Sequence, residues 1–215
     1  MALQARAEAT RRKILDSAVE LFSELGYGET GLSDVLQRAG VSKGAFYYHF
    51  DSKESVATAI IEEFSERLKK SARELFDASN PQIEGVIRAT FDSAALIARD
   101  DTARVGHELL QALSQISSVA AAVYESWTKD FVAVIARAIE PWTEKDDRID
   151  AAEAAEAIWV GILGCHLLSS ALGDDHLARL ARSWKPALQM LMPADQADAY
   201  VAMVDEIAAS YAATV

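Results

Sequence analysis

Cysteine is almost missing from this chain of 215 residues, where Cys165 stands alone. One thiol cannot close a bridge within the chain, so no disulfide framework holds the fold, and such usage fits a reducing compartment such as the cytoplasm. Punctuation is scarce too, with 4 prolines and 10 glycines. A sheet protein needs many tight turns and alternating β-branched runs, and this chain has few of either among its many alanines. It reads as all-α with long helices. Positive charge is in deficit, with 21 Lys and Arg against 33 Asp and Glu, a net charge of −12. No charged-then-apolar leader opens the sequence. The longest apolar run, 157–172, is interrupted by His166 and two serines and is expected to fall short of the roughly 18 clean residues of a membrane span.

Catalytic patterns are also lacking. The four histidines, His49, His107, His166 and His176, fall in four different elements. None completes an H-E-x-x-H pair, and neither a P-loop nor a G-x-G-x-x-G occurs. Asp174, Asp175 and His176 read as a solvated loop between helices rather than a metal site, and Cys165 as a core thiol. No catalytic residue, metal ligand or cofactor is assigned, and an enzyme is not expected.

What is present is concentrated in residues 30–53, TGLSDVLQRAGVSKGAFYYHFDSK. Leu32, Val35, Leu36 and Ala39 recur at helical spacing and stop at Gly40, which suits the left-handed residue that closes a helix. Ser42 is the N-cap of a second short helix that carries Phe46 and Phe50 inward. Two short helices about a glycine turn make a helix-turn-helix. The outer face of the second helix holds Lys43, Gly44, Ala45, Tyr47, Tyr48 and His49, donors without a carboxylate among them, suited to phosphate and base edges. A third helix, from about Ala7 to Leu25 and ended by Gly26, supplies Ile14, Leu15, Ala18, Leu21 and Phe22 to close the small core.

Divided along the chain, the acidity no longer argues against a nucleic-acid partner. Residues 1–50 hold six basic and six acidic side chains, 51–80 five and seven, and 81–215 ten and twenty. The neutral front places Arg6, Arg11, Arg12, Lys13, Lys43 and Lys53 where a duplex could meet them, and predicts a moderate salt dependence.

The run AGVSKGAFYYHFDSKE resembles the DNA-binding signature of the TetR family of one-component bacterial repressors. The resemblance implies that Ser42, Lys43, Gly44 and Ala45 enter the major groove while Tyr47, Tyr48, His49 and Lys53 hold the phosphate backbone. Where the family places Thr or Ser ahead of the first helix of the pair, this chain has Gly31, so a phosphate contact there falls to Thr30 or Ser33.

The remaining pattern predicts helices only. Asp51 or Ser52 opens a helix spanning 52–78, a lever between a DNA-binding domain at 1–51 and a larger helical domain at 52–215. Asn80-Pro81 opens the next, running to about 98, and Asp100-Asp101-Thr102 starts another. A helix at 119–139 precedes Pro141 and the charged loop 144–148, and an almost all-round apolar helix follows at 150–172. Pro186 kinks the one after it, and a last helix begins near Asp195. If the helices at 81–98, 119–139 and 150–172 enclose a cavity, Phe91, Val123, Trp127, Trp159, Ile162 and His166 line it and take a small amphipathic ligand.

A second resemblance covers the C-terminal part. Thr90-Phe91, Arg104-Val105-Gly106, Trp127 and RLARSWKPALQMLMP at 179–193 look like the γ-butyrolactone autoregulator receptors, a branch of the TetR family. That resemblance implies a tryptophan in the ligand site at Trp127. Together the two imply a cytoplasmic homodimeric repressor, paired through the helix at 151–172 and one of the last two. It would bind a palindromic operator and leave it when a small effector binds. The alternatives are a repressor answering to another hydrophobic or drug-like ligand, and a helical carrier or enzyme whose helix-turn-helix is incidental.

Overall fold

The computed structural model describes residues 2–115, 117–144 and 149–213. Among these are eleven helices and no strand: α1 Ala2–Leu25, α2 Leu32–Ala39, α3 Lys43–His49, α4 Lys53–Ser71, α5 Arg73–Asp77, α6 Ile83–Arg99, α7 Asp101–Leu113, α8 Ser118–Thr143, α9 Ala151–Leu172, α10 His176–Leu191 and α11 Ala194–Ala212. They separate into two compact units, Met1–Arg67 with Arg99–Val123, and Leu68–Ala98 with Tyr124–Val215. The sequence put a single boundary between 51 and 52. The packing instead groups α7 with the first helices, so neither unit is continuous in sequence.

In the first unit the core is Ile14, Leu15, Ala18 and Phe22 of α1, Val35 of α2, Phe46 and Phe50 around α3, and Val56, Ile60 and Phe64 of α4, all buried. Each large side chain removed from water here contributes about 1.5–3 kcal/mol. Gly26 at φ 81° closes α1, its N–H donating to the Phe22 carbonyl at 3.0 Å. Ser52 and Ser55 cap α4 reciprocally, each hydroxyl accepting from the other's backbone N–H at 3.1 Å.

α7 lies so close to α4 that a Cβ on Gly106 would stand 2.5 Å from Phe64 Cβ and 3.1 Å from the Ile60 carbonyl. A line of charges runs beside this contact. Arg12 Nη1 donates to both Glu63 oxygens at 3.0 and 2.8 Å, Arg67 donates to Glu63 and to Asp100, and Asp100 caps α7 through the Ala103 N–H. Burial alone would raise the Glu63 carboxyl, but the hydrogen bonds from Arg12 and Arg67 hold it below the usual carboxylate range.

The lever expected over 52–78 is interrupted. α4 ends at Ser71, and Ala72 leaves helical backbone at φ −95°, ψ 6° before the single short α5. Alanine favours helix, so local propensity does not cause the break. In the second unit Leu75 instead reaches Gly85 of α6, and the Phe76 ring stands edge-on to Phe131 of α8 at 4.9 Å. α6 opens at Ile83, two residues past Pro81. α8 continues through Pro141 to Thr143, because a proline in the last turn forfeits only one backbone bond; of the expected loop, residues 145–148 lie outside those described. Pro186 sits inside α10, which does not end there.

α9 is capped by Asp150, whose carboxylate accepts from Ala152 and Glu153 N–H, and closed by Gly173 at φ 65°. Its length and composition would let it cross a membrane, contrary to the expected shortfall; mean hydropathy is 1.5 over an 18-residue window of which 33% is buried. A soluble protein's core helix can share this length and composition, though it is then mostly buried. Val160, Leu167, Leu168 and Leu172 are exposed along it, and Met190 along α10. Between α9 and α10 a groove of about 330 Å³ is lined by Ala157, Ile158, Gly161, Ser183, Pro186 and Met190.

Candidate nucleic-acid interface and effector site

α2 and α3 meet across a turn built by three local devices. The Gly31 N–H donates to Asp34 Oδ2 at 2.8 Å, which fixes the entry to α2, although the glycine has no hydroxyl to accept from the helix's own first N–H groups. Gly40 takes φ 58°, ψ 39°, and its N–H reaches back to the α2 carbonyls. Ser42 Oγ then accepts from Ala45 N–H at 3.2 Å. The seven residues of α3 are thereby set with Phe46 fully buried and Lys43, Gly44, Tyr47 and Tyr48 exposed, Tyr48 by 77%. Tyr48 meets His49 edge-on at 4.8 Å, and Lys43 Nζ lies 5.9 Å from the Tyr47 ring. A Cβ on Gly44 would meet nothing within 4 Å, so this glycine leaves room on the outside of the protein rather than the inside. Ser33 is exposed beside this surface, and Ala45 is half-buried.

Four expected contacts are placed differently. Thr30 is 1% exposed and its hydroxyl donates to the Gly26 carbonyl at 2.8 Å, which leaves Ser33 as the available hydroxyl. Lys53 Nζ donates to the Tyr27 and Thr30 carbonyls at 2.8 and 2.7 Å and sits 4.2 Å from the Tyr27 ring centre. It therefore fastens the start of α4 to the α1–α2 turn instead of extending toward a phosphate. Arg12 is committed to Asp16 and Glu63, and Arg11 lies over the Phe50 ring at 5.3 Å. The sequence marked these side chains as cations without revealing their internal partners.

In the second unit the expected effector residues divide. Trp127 and Trp159 are both 4% exposed. Trp159 Nε1 donates to Thr128 Oγ1 at 3.1 Å, one residue on from Trp127, and its ring stacks on Phe131 at 4.7 Å and 5°. Tyr124 meets Trp127 edge-on at 6.2 Å, and burial raises its phenol above the ordinary range. Thr128, Phe131 and Phe76 belong to this cluster and were missed; the four-residue step from Trp127 to Phe131 was the available signal. Val123 is half-buried in the other unit.

Three others lie apart. Phe91 is fully buried against the Tyr211 ring of α11 at 5.9 Å. Ile162 lines the groove between α9 and α10 rather than a chamber under Trp159. His166 packs edge-on against His176 at 4.2 Å. Asp174 and Asp175 are exposed between α9 and α10, as the loop reading expected, while His176 is half-buried as the first residue of α10, which Asp175 caps. Burial lowers the His176 imidazole to about 4, partly offset by Asp174 and Asp175. Cys165 is buried, and burial pushes its thiol up, away from reactivity. The two C-terminal motifs meet in the core, where the Trp184 indole donates to Thr90 Oγ1 at 3.0 Å.

A helix-turn-helix closed by a third helix and joined to a larger all-α unit defines a class of DNA-binding regulators. Residues 14–60 match the family model described as bacterial regulatory proteins, tetR family. The A-factor receptor protein of Streptomyces griseus is 30% identical over 87% of this chain, and the alignment spans 66% of that receptor's own length. A crystal structure of a γ-butyrolactone receptor, an ArpA-like protein, superposes with a TM-score of 0.72 at 27% identity, covering 98% of this chain and 100% of that one. The TetR family protein CprB of Streptomyces coelicolor, solved with its operator sequence, gives a TM-score of 0.70 at 28% identity over 95% and 99% of the two chains. The chain belongs to the TetR family and resembles its γ-butyrolactone receptor branch.

Proposed function

We propose that this protein is a cytoplasmic, homodimeric transcriptional repressor that binds a palindromic operator and is released by a small γ-butyrolactone-like effector. The observation that carries the DNA half is α3 itself: one face is anchored by a fully buried Phe46, and the other presents Lys43, Tyr47 and Tyr48 to solvent. In this reading Ser42, Lys43, Gly44 and Ala45 reach base edges, and Ser33, Tyr47, Tyr48 and His49 hold phosphates. Residues 1–51 carry the DNA contacts, and 52–215 pairing and effector binding. Each α3 of the dimer takes a major groove, with half-sites about one helical turn, or ~10 base pairs, apart or a multiple of that.

The second copy covers the apolar face of α9 and the groove it forms with α10, giving the exposed Val160, Leu167, Leu168 and Met190 a partner. The likeness to the A-factor receptor and the ArpA-like γ-butyrolactone receptor supports a lactone carrying an apolar chain. It is read at Trp127, beside the Trp159–Thr128 hydrogen bond. Moving a repressor from 99% bound-competent to 1% needs a roughly 10⁴-fold difference in effector affinity between the two states. The test is Trp127→Ala: operator affinity stays at the wild-type value in a gel-shift titration, and an alkyl γ-butyrolactone that releases the wild type no longer releases the variant. Loss of operator binding by the variant would defeat this reading.

A further inference from the structure

On the outside of the second unit, an open cleft of about 370 Å³ is lined by Lys69, Phe76, Asp130, Ala133, Val134 and Arg137. Its floor is apolar and its rim is charged. Lys69 Nζ donates to Ser126 Oγ at 3.1 Å and stands 4.0 Å from Asp130, while Arg137 Nη1 donates to the Ala78 carbonyl at 3.1 Å. Phe76 is half-buried at the inner end, edge-on to Phe131, which is itself stacked flat on Trp159. The three rings thus run without interruption from the cleft to the Trp159–Thr128 hydrogen bond.

The piece of chain that carries Phe76 is weakly held. α5 has five residues, none of them buried, and is separated from α4 by the non-helical Ala72. A helix of that length has no stability of its own, so its place depends on Phe76 against Phe131, Leu75 beside Gly85 of α6 and the Arg137 bond to the Ala78 carbonyl. An edge-on aromatic pair is worth about 0.5–1.5 kcal/mol beyond its burial, a bond that thermal motion breaks readily.

We propose that Phe76 is the door of an entry route. A small amphipathic molecule docks its hydrogen-bonding or anionic head between Lys69 and Arg137, displaces the Phe76 ring from Phe131, and passes its apolar part inward to the Trp159–Thr128 pair. This rests on the effector reading above and adds the route, the head-group contacts and the residue that controls the rate. Removing the ring opens the route permanently; replacing it with leucine narrows it only in part.

The test needs no effector. In full-length protein labelled with ¹⁵N-tryptophan, solvent exchange of the indole N–H groups is followed by NMR, with Trp159→Phe assigning its signal. Trp159 and Trp184 both donate to a threonine hydroxyl, so the second is an internal control. In Phe76→Ala the Trp159 indole is expected to exchange at least 10-fold faster with Trp184 unchanged, and Phe76→Leu to fall between wild type and alanine. A wild-type rate at Trp159, or equal acceleration at both indoles, overturns the route. Operator release by an alkyl γ-butyrolactone is measured on the same samples. Rapid Trp159 exchange without release in any variant would leave the door standing and remove the effector reading instead.

Discussion

The helix proposed to read DNA and the rings proposed to read an effector are built on opposite plans. α3 is seven residues long and places its working side chains in water, where their positions depend on caps and on one buried phenylalanine. Trp127, Trp159 and Phe131 are buried, with Trp159 and Phe131 stacked on each other and Trp127 against Tyr124. The contrast teaches that an interface for a large rigid polyanion can be a fixed surface, whereas a site for a small molecule has to be made by moving part of a core. The first tolerates substitution without unfolding; the second couples binding to stability.

The largest effect that would break this contrast lies on a third kind of surface, the apolar face of α9. Val160→Glu is expected to raise the dimer dissociation constant more than 100-fold, because an unpaired carboxylate buried at an interface costs several kcal/mol. Analytical ultracentrifugation checks it, and operator affinity should fall in step. Unchanged sedimentation would mean that this face is not where copies meet.

Next is Gly106→Ala in the first unit. Its added methyl, 2.5 Å from Phe64 Cβ, should lower stability by about 2 kcal/mol in denaturant unfolding. The DNA-reading side would then prove as dependent on internal fit as the tryptophan cluster.

A smaller effect is expected from acid. The native His176 stays neutral down to about 4, while the unfolded chain takes up its proton from an ordinary 6.5 downward. The unfolded state therefore binds more protons across that window, and stability falls as pH drops from 6.5 toward 4. A thermal-unfolding series should show this slope reduced in His176→Gln.

The smallest is Gly44→Ala. Its methyl meets nothing within the protein, and replacing a helical glycine should stabilise the fold by up to about 1 kcal/mol. Operator affinity is expected to drop nonetheless. A variant both more stable and equally tight would show that nothing approaches α3 at that point.

Most of the fold was legible because its signals are local. Gly26, Gly40 and Gly173 closed helices where they stand, and Ser42, Asp100 and Asp150 opened them. The break at Ala72 was not legible, since no residue type there disfavours helix and the cause lies in α6 and α8. Pro141 misled in the other direction, because its cost depends on where in a helix it falls. On the DNA-facing side, exposure follows from periodicity, so Lys43, Tyr47 and Tyr48 could be named. Lys53 and Arg12 could not be assigned, because a cation turned inward onto carbonyls or a carboxylate has the same one-letter code as one turned outward. In the second unit every candidate was apolar on an apolar stripe. Periodicity cannot separate Trp159, which stacks on Phe131, from Phe91, which packs on Tyr211, or Ile162, which lines the groove on α9.

The discontinuity of the first unit bears on how such chains can be recombined. A chimera that exchanges only the first 67 residues between two relatives would graft most of a foreign α4 onto a resident α7. Phe64 would then meet an unmatched Gly106, and Arg67 an unmatched Asp100. Because 99–123 packs with Met1–Arg67, the transplantable cassette is the pair of segments together. Swapping both should transfer operator preference with the seam intact, and the natural cut points for building hybrid regulators fall near Arg67, Arg99 and Val123 rather than at the end of the helix-turn-helix.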